Sequence, residues 1–254
     1  MTRRRCLPMA SKNRSLPWFH SLSIQGPFSE IRMTSPAELA RYNMIEQQVR
    51  PWNVLDARVL HVLGELPREA FVPDAYRALA YADVDIPIGT DTCMLAPKVV
   101  GRMLQALQVR DGEKVLEIGP GTGYITACLA RLGGRVLGVE IDPDLAAGAR
   151  ERLKAMQLHR VEVDTADAMA GPLENGPFDV IAVTGSVPTE EPIPMLAQQL
   201  RPGGRLFVVV GEDPVMEARL ETRIGGVGDL RRENLFETSV PALKNVPQPE
   251  RFVF

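Results

Sequence analysis

Cysteine is scarce in this 254-residue chain, and no charge of either sign dominates it. The three cysteines, Cys6, Cys93 and Cys128, are scattered and lack the spacing of a metal site. This excludes a disulfide scaffold and leaves no case for a metal centre. A reducing compartment is the simplest interpretation, so we expect a cytoplasmic protein.

Two further absences limit the partners. A formal net charge of −3 gives no whole-chain reason to bind a nucleic acid or an anionic membrane. No apolar run approaches the roughly 18 residues that a membrane-spanning helix needs. The hydrophobic share of 45% is typical of an ordinary globular protein.

Acidic residues are nearly missing from residues 1–32, where Glu30 stands alone among several cations. This segment has no sustained apolar period, so we expect a disordered basic tail. Its Arg- and Ser-rich composition also resembles an organellar presequence. Alternatively Met33 is the true start and the preceding segment is an over-extended reading frame, which is the interpretation that we favour. The cations are Arg3, Arg4, Arg5, Lys12, Arg14 and Arg32.

The next part, residues 33–110, is predicted to hold N-terminal helices and a substrate loop. Ser35 or Thr34 can cap the first helix, with Pro36 at its first position. Asp56 can cap a later helix.

Residues 72–98 read mostly as a loop, because three prolines and a glycine interrupt any long element. A loop of this length inside a compact domain is usually functional. We therefore predict that it lies on the substrate side of the protein.

Residues 111–254 alternate between short apolar strands and helical segments. This alternation predicts βαβ units, and hence an α/β fold with a doubly wound, mostly parallel sheet. Two further β segments after Val215 are predicted as edge strands, which brings the sheet to seven. The five predicted inner strands are Val115–Ile118, Arg135–Glu140, Val161–Asp164, Phe178–Thr184 and Arg205–Val210.

The first of these strands runs into a glycine-rich turn with the sequence VLEIGPGTGY. A dinucleotide-binding turn needs a glycine where Tyr124 stands, and no Gly-Lys-Ser/Thr tripeptide of a phosphate loop is nearby. Glu117 precedes the glycines and would repel a pyrophosphate. It would suit a cationic ligand with an amino group and a sulfonium. The glycines of the turn are Gly119, Gly121 and Gly123.

This turn resembles the first motif of class I S-adenosylmethionine-dependent methyltransferases, and GVEID, TADA, FDVIAV and LRPGGRLFVVVG resemble the later ones. The resemblance implies a Rossmann-like sheet, here with an N-terminal helical extension, and S-adenosyl-L-methionine as cofactor. It implies that Glu140 binds the ribose hydroxyls and Asp167 the adenine amino group. Glu117 would orient the turn and the methionine amino group. Thr184 and the three glycines complete the implied cofactor site. Residues 111–254 would then form the cofactor-binding core.

The upstream blocks LPREAFVP, AYAD and IPIG, with EQQVR and SVPAL, resemble protein-L-isoaspartate O-methyltransferases. That family esterifies the stray carboxylate of isoaspartyl residues and so starts their repair. The resemblance places Asp83, Gly89 and Pro97 in the substrate loop. One departure concerns the family's loop Gln-Thr-Ile-Ser-Gln-Pro, because Leu95 occupies the serine position and cannot donate a hydrogen bond. The catalytic residues are therefore unknown, with Thr92 as a candidate that can equally serve loop packing.

Three hypotheses remain open at this point. The first is an isoaspartyl methyltransferase with a modified loop, acting on an isoaspartyl-containing protein or peptide. The second is a methyltransferase of the same fold with another acceptor, either a small molecule or RNA, although we expect no nucleic-acid partner. The third is a cofactor-binding interaction protein without catalysis. We place isoaspartyl activity first and leave the oligomeric state open.

Overall fold

The computed structural model describes residues 35–226 and 228–249, which belong to one compact unit. The predicted tail at residues 1–32, the alternative start at Met33 and the alternative cap Thr34 lie outside these residues. No helix in the described ranges is both long enough and apolar enough to cross a membrane.

The N-terminal part is helical, as the sequence predicts. Helix α1 spans Pro36–Met44, with Ser35 and Glu38 forming a reciprocal capping box, and α2 spans Ala57–Glu65 with Asp56 as its cap. Between them lie a π-helical turn, Ile45–Val49, and a 3₁₀ turn, Arg50–Trp52; two further 3₁₀ turns follow α2 at Arg68–Ala70 and Asp74–Leu79. The remaining helices are α3 (Pro97–Leu107), α4 (Tyr124–Arg131), α5 (Pro143–Ala155) and α6 (Pro192–Ala197).

A seven-stranded sheet forms the centre of the fold, in the order β5-β4-β3-β6-β7-β8-β9. The five strands from β5 to β7 are parallel, and β8 and β9 follow as antiparallel neighbours. This confirms the predicted doubly wound, mostly parallel sheet. The strands are β3 (Lys114–Ile118), β4 (Arg135–Glu140), β5 (Val161–Thr165), β6 (Phe178–Val187), β7 (Leu200–Glu212), β8 (Val215–Arg223) and β9 (Leu230–Thr238).

Helices cover both faces of the sheet, because alternate strand residues enter two different hydrophobic clusters. Val180 and Ala182 join a cluster with residues of α2, α3, α4 and α5, whereas Ile181 and Val183 join one with residues of α6. The helices before residue 110 therefore share a core with the sheet.

Three details differ from the sequence predictions. The predicted loop at 72–98 contains an antiparallel hairpin of β1 (Ile86–Gly89) and β2 (Thr92–Met94). Strand β7 starts at Leu200 rather than Arg205, with an irregular register against β6 that accommodates the Pro-Gly-Gly run. Of the two predicted edge strands only β9 lies at the edge, since β8 is paired on both sides.

The strand order places the functional region at a predictable point. From β3 the chain moves outward through β4 and β5, and then returns to β6 on the other side of β3. Ligands of open α/β sheets bind at the carboxyl ends of the strands where the order reverses. The glycine turn follows β3 at this point.

Candidate functional site

The glycine turn joins β3 to α4 with three residues in the left-handed region: φ is +83° at Gly119, +55° at Gly121 and +90° at Gly123. Close approaches also demand glycine there. An added Cβ at Gly121 would lie 2.8 Å from Ile88 Cδ1, and one at Gly119 would lie 3.0 Å from Thr184 Oγ1. The turn can hold this path only without side chains.

Glu140 ends β4 and ties the turn to the neighbouring strand. Its Oε2 accepts a hydrogen bond from the Gly121 amide at 2.9 Å, and its Oε1 accepts one from the Asp142 amide at 3.0 Å. Each oxygen keeps a further lone pair for a ligand hydroxyl. The side chain is buried and lies in the wall of the cleft described below.

Asp167 follows β5 and is held by a segment that the sequence analysis did not connect with it. Its Oδ1 accepts a hydrogen bond from the Met169 amide at 2.8 Å, and its Oδ2 accepts one from Asn245 Nδ2 at 2.7 Å. The segment carrying Asn245 is anchored beside β6, where the Leu243 amide donates to the Ser186 carbonyl at 2.9 Å. Nothing in the local sequence signals this long-range contact.

Thr184, in β6, contacts the backbone at the start of the glycine turn. Its hydroxyl donates to the carbonyl of Ile118 at 2.8 Å and contacts that of Gly119. It thus fixes the backbone of the turn.

Glu117 lies behind the turn rather than in the wall of the cleft. It is completely buried, and neither carboxylate oxygen has a hydrogen-bond partner among the described residues. Burial raises its pKa to about 8; the nearby Thr126 hydroxyl opposes this rise and repulsion by Glu140 adds to it.

The turn and the β1–β2 hairpin enclose one cleft with a volume of about 430 Å³. This volume suits a small molecule. Among the sequence-predicted residues, the cleft wall includes Thr92, Leu95, Gly119, Gly121, Glu140, Asp167 and Thr184. Glu117, Gly123, Asp83, Gly89 and Pro97 lie outside the wall.

The residues outside the wall support it. Gly123 caps α4, and Pro97 begins α3. Asp83 is paired with Lys98 Nζ at 2.7 Å, and Gly89 ends β1 beside a register shift. These four residues shape the elements that carry the cleft.

On the hairpin side, few polar side chains are free to contact a ligand. Leu95 is 3% exposed and packs in the main cluster. The Thr92 hydroxyl donates to the Thr90 carbonyl at 3.1 Å, within the hairpin turn. The Cys93 thiol is half-buried, and burial raises its pKa to about 12, so it is no reactive thiolate at neutral pH.

Arg68 is a cleft residue that the sequence analysis did not single out. It lies within the quoted block LPREAFVP, yet it is wholly buried and contributes to the cleft wall. Its Nε donates to the Ala80 carbonyl at 2.9 Å and its Nη2 to the Leu95 carbonyl at 2.8 Å. Because Glu69 follows it directly, the local sequence gives no signal that Arg68 is the buried member of this charged pair.

The cleft fits S-adenosylmethionine on structural grounds. Glu140 has lone pairs available beside a turn that side chains would fill, and Glu117 is a buried acid without a partner. The wall of the cleft is mainly apolar, as an adenine ring requires, and Ala166 and Ala168 flank Asp167 in it. No group of three or more metal-ligating side chains occurs in the described ranges.

Comparisons with known proteins agree with this geometry. Residues 40–225 match the family model described as protein-L-isoaspartate(D-aspartate) O-methyltransferase. A protein-L-isoaspartate O-methyltransferase of Koribacter versatilis is 38% identical, over 82% of this chain and 92% of its own. One from Aeropyrum pernix is 43% identical, over 71% of this chain and 70% of its own.

A solved structure shares the fold. It is a protein from Plasmodium falciparum that is described as a putative protein-L-isoaspartate O-methyltransferase in complex with S-adenosyl-L-homocysteine. The TM-score is 0.69 at 20% identity, covering 82% of this chain and 98% of that one. Together with the family model and the relatives, this confirms the resemblance, the fold class and the methyltransferase assignment. The chain belongs to the protein-L-isoaspartate(D-aspartate) O-methyltransferase family of S-adenosylmethionine-dependent enzymes.

Proposed function

We propose that this chain methylates the free α-carboxylate of isoaspartyl residues in proteins or peptides. The observation that carries the proposal is that two elements border the same cleft: the acid-flanked glycine turn on one side and the β1–β2 hairpin on the other. A donor and an acceptor bound on these two sides would meet inside it.

The cofactor half of the site is assigned to the residues around the turn. Glu140 binds the ribose hydroxyls, Asp167 binds the adenine amino group, and Gly119 and Gly121 let the backbone approach the ligand. Thr184 holds the turn in place. Glu117 acts from behind it as the counter-charge for the amino group of the methionine moiety.

The acceptor half consists of the hairpin and the segment up to Pro97. When bound, S-adenosylmethionine supplies a methyl group on a sulfonium, which a carboxylate oxygen can take by in-line displacement. A carboxylate is already ionised at neutral pH, so the chain need not provide a general base. The chain contributes by aligning the methyl donor with the acceptor carboxylate, since proximity and orientation account for most of the rate enhancement.

The relatives favour a protein acceptor over the two other hypotheses, because those at about 40% identity are named for isoaspartyl residues in proteins. The absence of a nucleic-acid partner and the cytoplasmic location remain predictions. The oligomeric state remains open.

The test is methyl transfer from labelled S-adenosylmethionine to an isoaspartyl peptide and to its normal aspartyl twin. We expect label in the isoaspartyl peptide only. Glu140→Gln should abolish labelling through loss of cofactor binding in calorimetry, whereas Glu162→Gln, an exposed glutamate on the neighbouring strand β5, should retain both. Equal, background-level labelling of the two peptides by the unmodified protein would overturn the proposal.

A further inference from the structure

Arg68 is buried without a carboxylate partner. Its side chain is 0% exposed, yet none of its described contacts is an ion pair. Two of its nitrogens are used by backbone carbonyls, and Nη1 has no hydrogen-bond partner among the described residues. An uncompensated buried charge is costly. Burial lowers the pKa of Arg68 below its ordinary value, but a guanidinium still keeps its charge at neutral pH.

Tyr124 lies against this guanidinium. Its ring centroid is 4.8 Å from Arg68 Cζ, and its hydroxyl is buried without a described hydrogen-bond partner. Burial raises the pKa of Tyr124 well above its ordinary value, so the hydroxyl keeps its proton and can donate. Both residues belong to the cleft wall. The hydroxyl also lies close enough to the guanidinium to favour its charged form, so a polar pair with one cationic member borders the same space.

Asp85 does not neutralise the guanidinium. It is close enough to attract Arg68 electrostatically, but its Oδ1 accepts a hydrogen bond from the Ala96 amide at 2.6 Å. No ion pair between Asp85 and Arg68 forms within 4.0 Å. The guanidinium therefore keeps its capacity for an anion.

The position of Arg68 points to the acceptor rather than the cofactor. Its two carbonyl partners, Ala80 and Leu95, both lie upstream of the cofactor core, on the side assigned to the acceptor. Leu95 also occupies the position where the loop lacks a donor. An arginine held against that carbonyl, in the same cleft wall, can supply the missing hydrogen bond.

We infer that Arg68 Nη1, assisted by the Tyr124 hydroxyl, binds the carboxylate that accepts the methyl group. This rests on the proposed function and names the group that selects an anionic acceptor. The same chemistry has a second source, the carboxylate of the methionine moiety of the cofactor, so the test separates the two.

The experiment measures binding by calorimetry to protein saturated with S-adenosylhomocysteine. Two peptides are compared: an isoaspartyl peptide and its isoasparaginyl form, in which a carboxamide replaces the acceptor carboxylate. A charge-assisted hydrogen bond predicts a preference of about tenfold or more for the carboxylate in the unmodified protein. Equal binding of both peptides would overturn the inference, while failure to bind either would instead count against the proposed function.

Variants then assign the preference to the guanidinium. Arg68→Met should remove it and leave the affinity for S-adenosylhomocysteine within about twofold. Arg68→Lys, which can fold where the methionine variant does not, should lose at least about threefold of the preference, because a compact ammonium lacks the planar fork that lets a guanidinium reach two separate carbonyls and a ligand at once. An unchanged preference in Arg68→Lys, or a loss of cofactor affinity with the preference intact, would overturn the inference.

Arg102 is the matched control. It also donates to two backbone carbonyls, those of Trp52 and Leu235, and packs on an aromatic ring, that of Phe236, but it is not part of the cleft wall. Arg102→Met should leave both the carboxylate preference and the cofactor affinity unchanged. A loss of preference in Arg102→Met equal to that in Arg68→Met would show a general structural effect and overturn the inference.

Discussion

At the scale of single residues, the Leu95 side chain decides how much polar help the acceptor loop can give. We expect Leu95→Ser to raise the turnover of an isoaspartyl peptide, because a hydroxyl in the cleft wall adds a donor beside the carboxylate. Leu95→Ala is the control, since it opens nearly the same space without the hydroxyl. Steady-state kinetics on both variants decides the matter, and equal turnover in the two would contradict the prediction.

A second residue-scale prediction concerns the buried acid Glu117. Its pKa of about 8 in the folded protein exceeds the value of about 4.3 in the unfolded chain. Between these two pH values the folded state holds a proton that the unfolded state has released, so the free energy of unfolding falls as pH rises. Glu117→Gln should therefore gain stability relative to the unmodified protein from pH 5 to pH 8.

Urea unfolding across that pH range measures the effect of Glu117. Glu162→Gln, at an exposed position, should follow the unmodified protein throughout. Binding of the cationic amino group would favour the ionised form of Glu117, so cofactor binding near neutral pH should release a proton. Calorimetry in buffers of different ionisation enthalpy should detect this release. If Glu117→Gln still released a proton on binding the cofactor, Glu117 would not be the counter-charge of the amino group.

At the scale of elements, the glycine turn and the β1–β2 hairpin depend on each other. Gly121→Ala would place a Cβ 2.8 Å from Ile88 Cδ1 at a φ of +55°. Overpacking of this kind costs about 1–3 kcal/mol, which corresponds to a loss of about 5-fold to 150-fold in cofactor affinity when the turn shifts to relieve it. Calorimetry with S-adenosylhomocysteine is the measurement.

Gly112 provides the control for backbone strain alone. It has a φ of +78°, but an added Cβ there would meet nothing within 4 Å. Gly112→Ala should lower the free energy of unfolding by about 1–2 kcal/mol and leave cofactor affinity unchanged. If both alanine variants bind the cofactor equally well, the contact with the hairpin is unimportant.

At the scale of the whole molecule, Arg205 joins the helical layer to the sheet. It lies in β7, donates to the carbonyls of Leu107 and Gln108 at the C-terminal end of α3, and donates to both oxygens of Glu113 at 2.9 and 2.7 Å. Arg205→Met should lower the free energy of unfolding by about 1–3 kcal/mol, because the partly buried Glu113 carboxylate loses its cationic partner and two carbonyls lose their donor. Urea unfolding tests this.

The pH dependence of this link has the opposite sign to that of Glu117. Burial alone would raise the pKa of Glu113, but hydrogen bonds from Arg205 and from the Arg110 amide lower it below the ordinary value. The contribution of Glu113 to the free energy of unfolding is therefore fully present above its unfolded-state pKa. It is lost as pH falls through its folded-state pKa. Arg201→Met, which removes a half-exposed pair with Asp179, should cost under about 0.5 kcal/mol and serves as the control.

The sequence by itself determined the layered fold and the position of the turn. Strand periodicity, caps such as Ser35 and Asp56, and the glycine spacing are local properties, so they can be read without coordinates. The two strands after β7 were predicted, but not their order. Strand neighbours are chosen by long-range packing, which local patterns do not encode.

Only the tertiary structure decided which side chains share the cleft. Arg68 contacts Leu95 and Tyr124, and Asn245 contacts Asp167, across long stretches of the chain. These contacts arise because the helical layer and the C-terminal segment fold onto the sheet. Spacing in the sequence identified the donor side, because a single turn builds it. The acceptor side is assembled from separate elements, and its chemistry emerges only when these pack together.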